Sequence, residues 1–121
     1  MYIYHNENPN GYKVPDCVIR ALTLALNMPY YEVVKLLEHN GTFYDCDLLN
    51  KKCYQKLLDI DFRFPHKICE SKKTVQEVAN DFPENTLLIR VDGHITVAIG
   101  TIIYDIFDCT NEYVTDFWIV R

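Results

Sequence analysis

Cys17 follows a polar stretch rich in turn residues, Asn8-Pro9-Asn10-Gly11-Tyr12-Lys13-Val14-Pro15-Asp16. It opens an apolar run that includes Val18, Ile19, Ala21, Leu22, Leu24, Ala25 and Leu26. That order describes a loop feeding a helix, with a thiol in the helix's first turn. The unpaired N–H groups and the positive end of the helix dipole both favour thiolate over thiol there. Far downstream, Gly93-His94 precedes a hairpin pattern that carries Asp105 and Asp108. A nucleophile that must be ionised, an imidazole to pair with it and an acid to fix the imidazole tautomer make up a covalent-catalysis set. The expected roles are Cys17 as nucleophile, His94 as base and acid, and Asp105 as orienter.

Elements must bring these residues together. Asp16 is the expected N-cap of a helix over residues 17–27. Pro29 opens a second helix that buries Tyr30, Val33, Val34, Leu36 and Leu37 and ends at His39-Asn40-Gly41. A third helix is expected over 47–58, and Thr74-Val75-Gln76-Glu77 is a capping-box start for a short fourth helix through about residue 81. Residues 62–65 read as a connector or short extended piece. The second half switches to strand chemistry: 86–91, then 95–99, then 101–107, and a last strand over 117–120. Helices first and antiparallel strands afterwards predict an α+β fold built as one domain over 1–121.

The hairpin register decides which acid meets the histidine. A two-residue loop at Ile99-Gly100 pairs Ala98 with Thr101, Thr96 with Ile103 and His94 with Asp105. Directly opposed Cβ atoms lie roughly 4.5–5.5 Å apart, within reach of an imidazole–carboxylate bond. This register also gives a core stripe of Ile95, Val97, Ile102, Tyr104 and Ile106. A three-residue loop centred on Thr101 puts His94 opposite Asp108 instead.

The segments DCVIRALTLAL and GHITVAIGTIIYDIFD resemble the papain-like cysteine peptidase superfamily. Within it, they are similar to small proteins of bacteriophages and their bacterial hosts with an N-x-x-G-x-x-x-x-D-C-x-x-R-A opening and a G-H…Y-D hairpin. The resemblance implies a helix bearing Cys17 packed on a C-terminal antiparallel sheet bearing His94 and Asp105. It implies thiol-dependent hydrolysis or acyl transfer on a peptide or side-chain amide. Papain-like peptidases carry an oxyanion-hole Gln six residues before the cysteine. Gly11 stands there in this chain, and Asn10 is the nearest side-chain amide. A phage-encoded binding protein that keeps the fold without turnover, and acts on a host protein, is the alternative the same resemblance implies.

Composition narrows the remaining classes. Basic residues are scattered and the formal charge is −5, which argues against a nucleic-acid groove. No apolar run approaches the roughly 20 residues of a membrane span, and residues 1–7 lack the features of a signal peptide. A cytoplasmic location (the host's, for a phage protein) is therefore expected, with the five cysteines as free thiols. No pair among them has a C-x-x-C spacing, so neither zinc nor any other cofactor is expected. Cys46 and Cys53 are expected on one helix face. Arg20 is expected to pair with Asp16 rather than with a substrate.

Overall fold

The structure is a computed structural model that describes residues 1–121. Its elements run β1 (Tyr2–Tyr4), α1 (Cys17–Leu26), α2 (Tyr30–Tyr44), α3 (Lys51–Lys56), β2 (His66–Ile68), α4 (Val75–Asp81), β3 (Thr86–Val91), β4 (His94–Ile99), β5 (Ile102–Asp105) and β6 (Val114–Ile119). A π-helical turn (Leu57–Asp61) continues α3. The class is α+β, with four α-helices and a six-stranded sheet ordered β1-β5-β4-β3-β6-β2.

The sheet departs from the expected one in a specific way. It is mixed rather than purely antiparallel, because β1 lies parallel to β5 with Tyr2 beside Ile103. It is also not purely C-terminal, since β1 and β2 form its two edges. Three-residue edge strands leave almost no period-two signal, so their place comes from the neighbour that pairs with them.

α1 is apolar nearly all round, and a helix of that kind must be covered on several sides. Val18, Ile19, Ala21, Leu22 and Ala25 are buried in one cluster with α2 residues Val33 and Leu37 and sheet residues Leu88, Ile95, Val97 and Trp118. Ala21 and Ala25, with their short side chains, let the helix pack closely on the sheet. The opposite face of the sheet is covered as well. Val75, Val78 and Ala79 of α4 pack there with Leu87, Ile89, Ala98, Ile103, Cys109 and Phe117. The expected single core stripe on the hairpin is thus only one of two buried faces.

Several boundaries differ from expectation for identifiable reasons. α2 does not end at Gly41 but runs to Tyr44, where Asp45 takes a left-handed conformation at φ 53°. Gly41 serves close approach instead: a Cβ there would lie 2.8 Å from the Cys46 carbonyl oxygen, and the Gly41 carbonyl accepts from the Cys46 N–H. α3 starts at Lys51 with Asn50 accepting from the Lys52 N–H, so residues 47–50 are a turn rather than helix. The Thr74–Glu77 capping box is present as expected.

Two of the five cysteines are not free. Cys46, in the α2–α3 loop, forms a disulfide with Cys53 of α3. The expectation that the two share one helix face fails because α3 starts only at Lys51, which leaves Cys46 in the tight turn before it. That turn brings the two Cα atoms within 5.7 Å. Cys17, Cys69 and Cys109 are free thiols.

Candidate active site

Cys17 is the first residue of α1, as expected, and is half-buried. The loop that delivers it is closed by Asn8. The Asn8 side-chain oxygen accepts from the Asn10 and Tyr12 N–H groups, and its carbonyl accepts from Gly11 N–H. The Asn8 amide nitrogen donates to Asp16 at 3.1 Å. Asp16 holds the N-cap position but makes no side-chain cap bond. Its carboxylate is taken by the Arg20 guanidinium one turn on, by Asn8, and by the Tyr30 hydroxyl at 2.7 Å. The Asp16–Arg20 pair is the one expected. The cap is not, because three stronger or longer-range donors compete for the same oxygens.

His94 opens β4. The two-residue turn Asp92-Gly93, with Gly93 at φ 73°, sets it directly opposite Val91. At this end of the sheet its ring meets the start of α1. The β4–β5 register differs from both sequence readings. Ile99 pairs with Ile102, Ala98 with Ile103 and Val97 with Tyr104, so the loop is Gly100-Thr101. Gly100, at φ 63°, occupies the first loop position, the residue order of a type II′ turn. The register is displaced by two residues from the expected one, and its continuation puts Thr96, not His94, opposite Asp105. A two-residue displacement preserves the alternation of faces, so His94 and Asp105 remain on one side as diagonal neighbours. The imidazole spans the diagonal, and His94 Nε2 lies 2.7 Å from Asp105 Oδ2.

Asp105 is buried, and its other oxygen accepts from the Ile106 N–H at 2.7 Å and faces Arg20 at 3.7 Å. Asp108 is exposed and bonds the Thr110 N–H and hydroxyl, the pattern of a local turn. The carboxylate at His94 is therefore Asp105.

With Nε2 engaged by Asp105, Nδ1 is the ring nitrogen left for the thiol. Among the influences that lower the Cys17 thiol's pKa, the His94 ring is the largest. Burial pushes the Cys17 thiol up, but the His94 ring, the Ile95 N–H, and the charges of His94 and Arg20 together bring it below the ordinary cysteine value. Burial likewise works to lower the His94 imidazole, and bonding to Asp105, Cys109 and Cys17 overrides it, raising the pKa to about 11. Burial pushes the Asp105 carboxyl up, and its bond to His94 does most to hold it below the usual range. These directions favour the charged form of each group, thiolate, imidazolium and carboxylate, over its neutral form.

Two participants were not assigned from sequence. Cys109, fully buried, sits 3.8 Å from Asp105 Oδ2 and completes a tight cluster with His94 and Asp105. Its spacing of four from Asp105 carried no signal, since the chain between them is irregular. Phe107 packs on the His94 ring at 4.6 Å between centroids and shields it from solvent. Asn10, the expected source of an oxyanion-hole amide, is exposed and lines neither the cleft nor the crevice beside Cys17. The other upstream amides are committed elsewhere: Asn8 donates to Asp16 and Asn6 to the Tyr12 carbonyl.

No helix is long and apolar enough to cross a membrane. Comparison of the chain with protein-family models, with curated proteins and with solved structures returned no match.

Proposed function

We propose that this chain is a papain-like thiol hydrolase or acyl transferase acting on a peptide or side-chain amide through Cys17, His94 and Asp105. The observation that carries this reading is the part-buried His94–Asp105 bond at 2.7 Å beside the Cys17 thiol, which His94 lowers in pKa.

The chemistry follows from the three side chains. The Cys17 thiolate attacks the amide carbonyl carbon, and the π electrons move to oxygen. The Cys17 backbone N–H, a first-turn donor with no intrahelical acceptor, is available to that oxyanion. As the C–N bond breaks, His94 gives its Nδ1 proton to the leaving nitrogen, leaving a thioester on Cys17. Water attacks the thioester while His94 takes its proton. The acid product leaves, and the thiolate–imidazolium pair is restored. Asp105 keeps the ring oriented throughout and stabilises the imidazolium.

The test is selective alkylation. Cys17 should react with low-dose iodoacetamide near neutral pH far faster than Cys69, and His94→Ala should remove that advantage. A Cys17 that reacts no faster than Cys69 in the unaltered protein sinks the catalytic reading. One observation favours the alternative, a non-catalytic binding protein: no upstream side-chain amide is placed to complete an oxyanion hole. In that case a partner captured by the chain should bind equally well to Cys17→Ala.

A further inference from the structure

Cys17 and His94 open onto a cleft of about 770 Å³ whose other wall comes from residues 49–55 at the start of α3. Five charged side chains line it besides the Cys17–His94 pair: Lys51, Lys52, Arg90, Asp92 and Asp116. On the floor, charges cancel. Arg90 bonds Asp116 through Nε at 2.8 Å and a terminal nitrogen at 2.5 Å, and His66 Nε2 reaches the same carboxylate at 2.6 Å. Arg90 is further fixed by Gln55 and by stacking on Trp118. It has no freedom left to move toward a ligand.

Lys51 and Lys52 are different. Both are exposed, and the lysine ion pairs of this chain are Lys35–Glu32 and Lys73–Asp81, so neither cleft ammonium has a carboxylate within 4.0 Å. They also occupy the first turn of α3, where the helix dipole disfavours cations and where this helix has no acid. Local helix stability therefore gives no reason for the pair. The whole chain carries −5, so two adjacent free cations beside the reactive thiol run against its own background. Asp92 is the opposing exposed charge, and it lies at the other side of the cleft, next to His94.

Resting on the reading of Cys17 as nucleophile, we propose that the substrate is an acidic peptide or protein segment. Its Asp or Glu carboxylate is held by Lys51 and Lys52 while the scissile amide lies at Cys17. Arg90, Tyr54 and Asp116 form a rigid floor beneath it. Asp92 repels the same carboxylate from the His94 side, which fixes the direction in which the segment crosses the cleft.

The test uses iodoacetylated peptides that end in glutamate amide or in its neutral isostere glutamine amide, with varied numbers of alanines between the reactive group and that residue. Alkylation of Cys17 is followed by mass spectrometry at low salt. At the spacer length that spans the cleft, the glutamate peptide should react about 1.5- to fivefold faster than its glutamine counterpart, the range expected of exposed ion pairs. Lys51→Glu with Lys52→Glu should invert that ratio when each rate is taken relative to plain iodoacetamide on the same variant. Equal rates at every spacer length, or a glutamate preference that survives charge reversal, overturns the proposal. A Cys17 without enhanced iodoacetamide reactivity overturns the catalytic reading instead, while the glutamate-to-glutamine ratio is still read at a pH where any thiol ionises.

Discussion

Asp16, the residue before Cys17, holds three partners at once, Arg20, Asn8 and Tyr30. Removing it by Asp16→Ala leaves the Arg20 guanidinium buried with only the Val14 carbonyl and a distant Asp105 oxygen. A buried charge stripped of its partner costs about 3–5 kcal/mol, so urea denaturation should show a loss of that size. Asp105→Asn acts on chemistry more than on stability. Without the carboxylate, the His94 imidazole loses the interaction that does most to raise its pKa, and the thiolate loses its cation. The pH at which Cys17 alkylation reaches half its plateau should rise from below the ordinary cysteine range to about 8.5 or above. An unmoved profile would show that Asp105 does not act through His94. At this scale the sequence was readable where local chemistry speaks: a thiol at a helix start, Arg20 one turn beyond Asp16, and a histidine ahead of a strand. Asn8 and Cys109 were not, because their partners are set by loop closure and by the far face of the sheet.

The turn between α2 and α3 shows what an element boundary costs. Gly41 lies inside α2, and a methyl group there would press on the Cys46 carbonyl at 2.8 Å. Gly41→Ala should therefore destabilise the protein by about 1–3 kcal/mol, despite the usual helix preference for alanine. Gly11→Ala is the contrasting case. A Cβ there meets nothing within 4 Å, but φ is 68°, so only the backbone penalty of about 1–2 kcal/mol remains. Thermal melts of the two variants separate steric from conformational cost. Helical periodicity and the Thr74–Glu77 box located α1, α2 and α4 from sequence, and β3 emerged with its ends intact. A glycine read as a helix stop was instead a contact point. The hairpin came out two residues out of register because Gly100 was given the second loop position rather than the first. Parity rescued the site, since an even displacement cannot move His94 and Asp105 to opposite faces.

For the whole molecule, pH should act through four groups, the buried Asp105 and Asp116 and the half-buried His94 and Cys17. Asp105 and Asp116 have lowered pKa values, so each contributes stability that is present above about 3.9 and lost as pH falls through its folded value. His94 is raised to about 11, so its contribution is full below about 6.5 and lost as pH rises toward 11. Cys17 is lowered, so its contribution is present above about 8.5 and lost as pH falls. From the lowered folded value of Cys17, or about pH 6.5 where that is higher, up to about pH 8.5, the folded pair and the unfolded pair each hold one proton, and the slopes cancel. Urea denaturation should thus give a flat stability over that window and a decline on either side. The loss of the flat window in Cys17→Ala would identify the pair as its source. The sheet order could not be read in advance, because β1 and β2 are too short to announce themselves and join as edges only once β5 and β6 exist. The Cys46–Cys53 bridge has a practical consequence for handling this protein. Thiol enzymes are usually kept active in dithiothreitol, and here the reagent that protects Cys17 also opens the link anchoring α3, and with it the lysine-bearing wall. Buffers that keep Cys17 reduced should blunt the selectivity proposed for the cleft, so assays run with and without reductant will describe two different proteins.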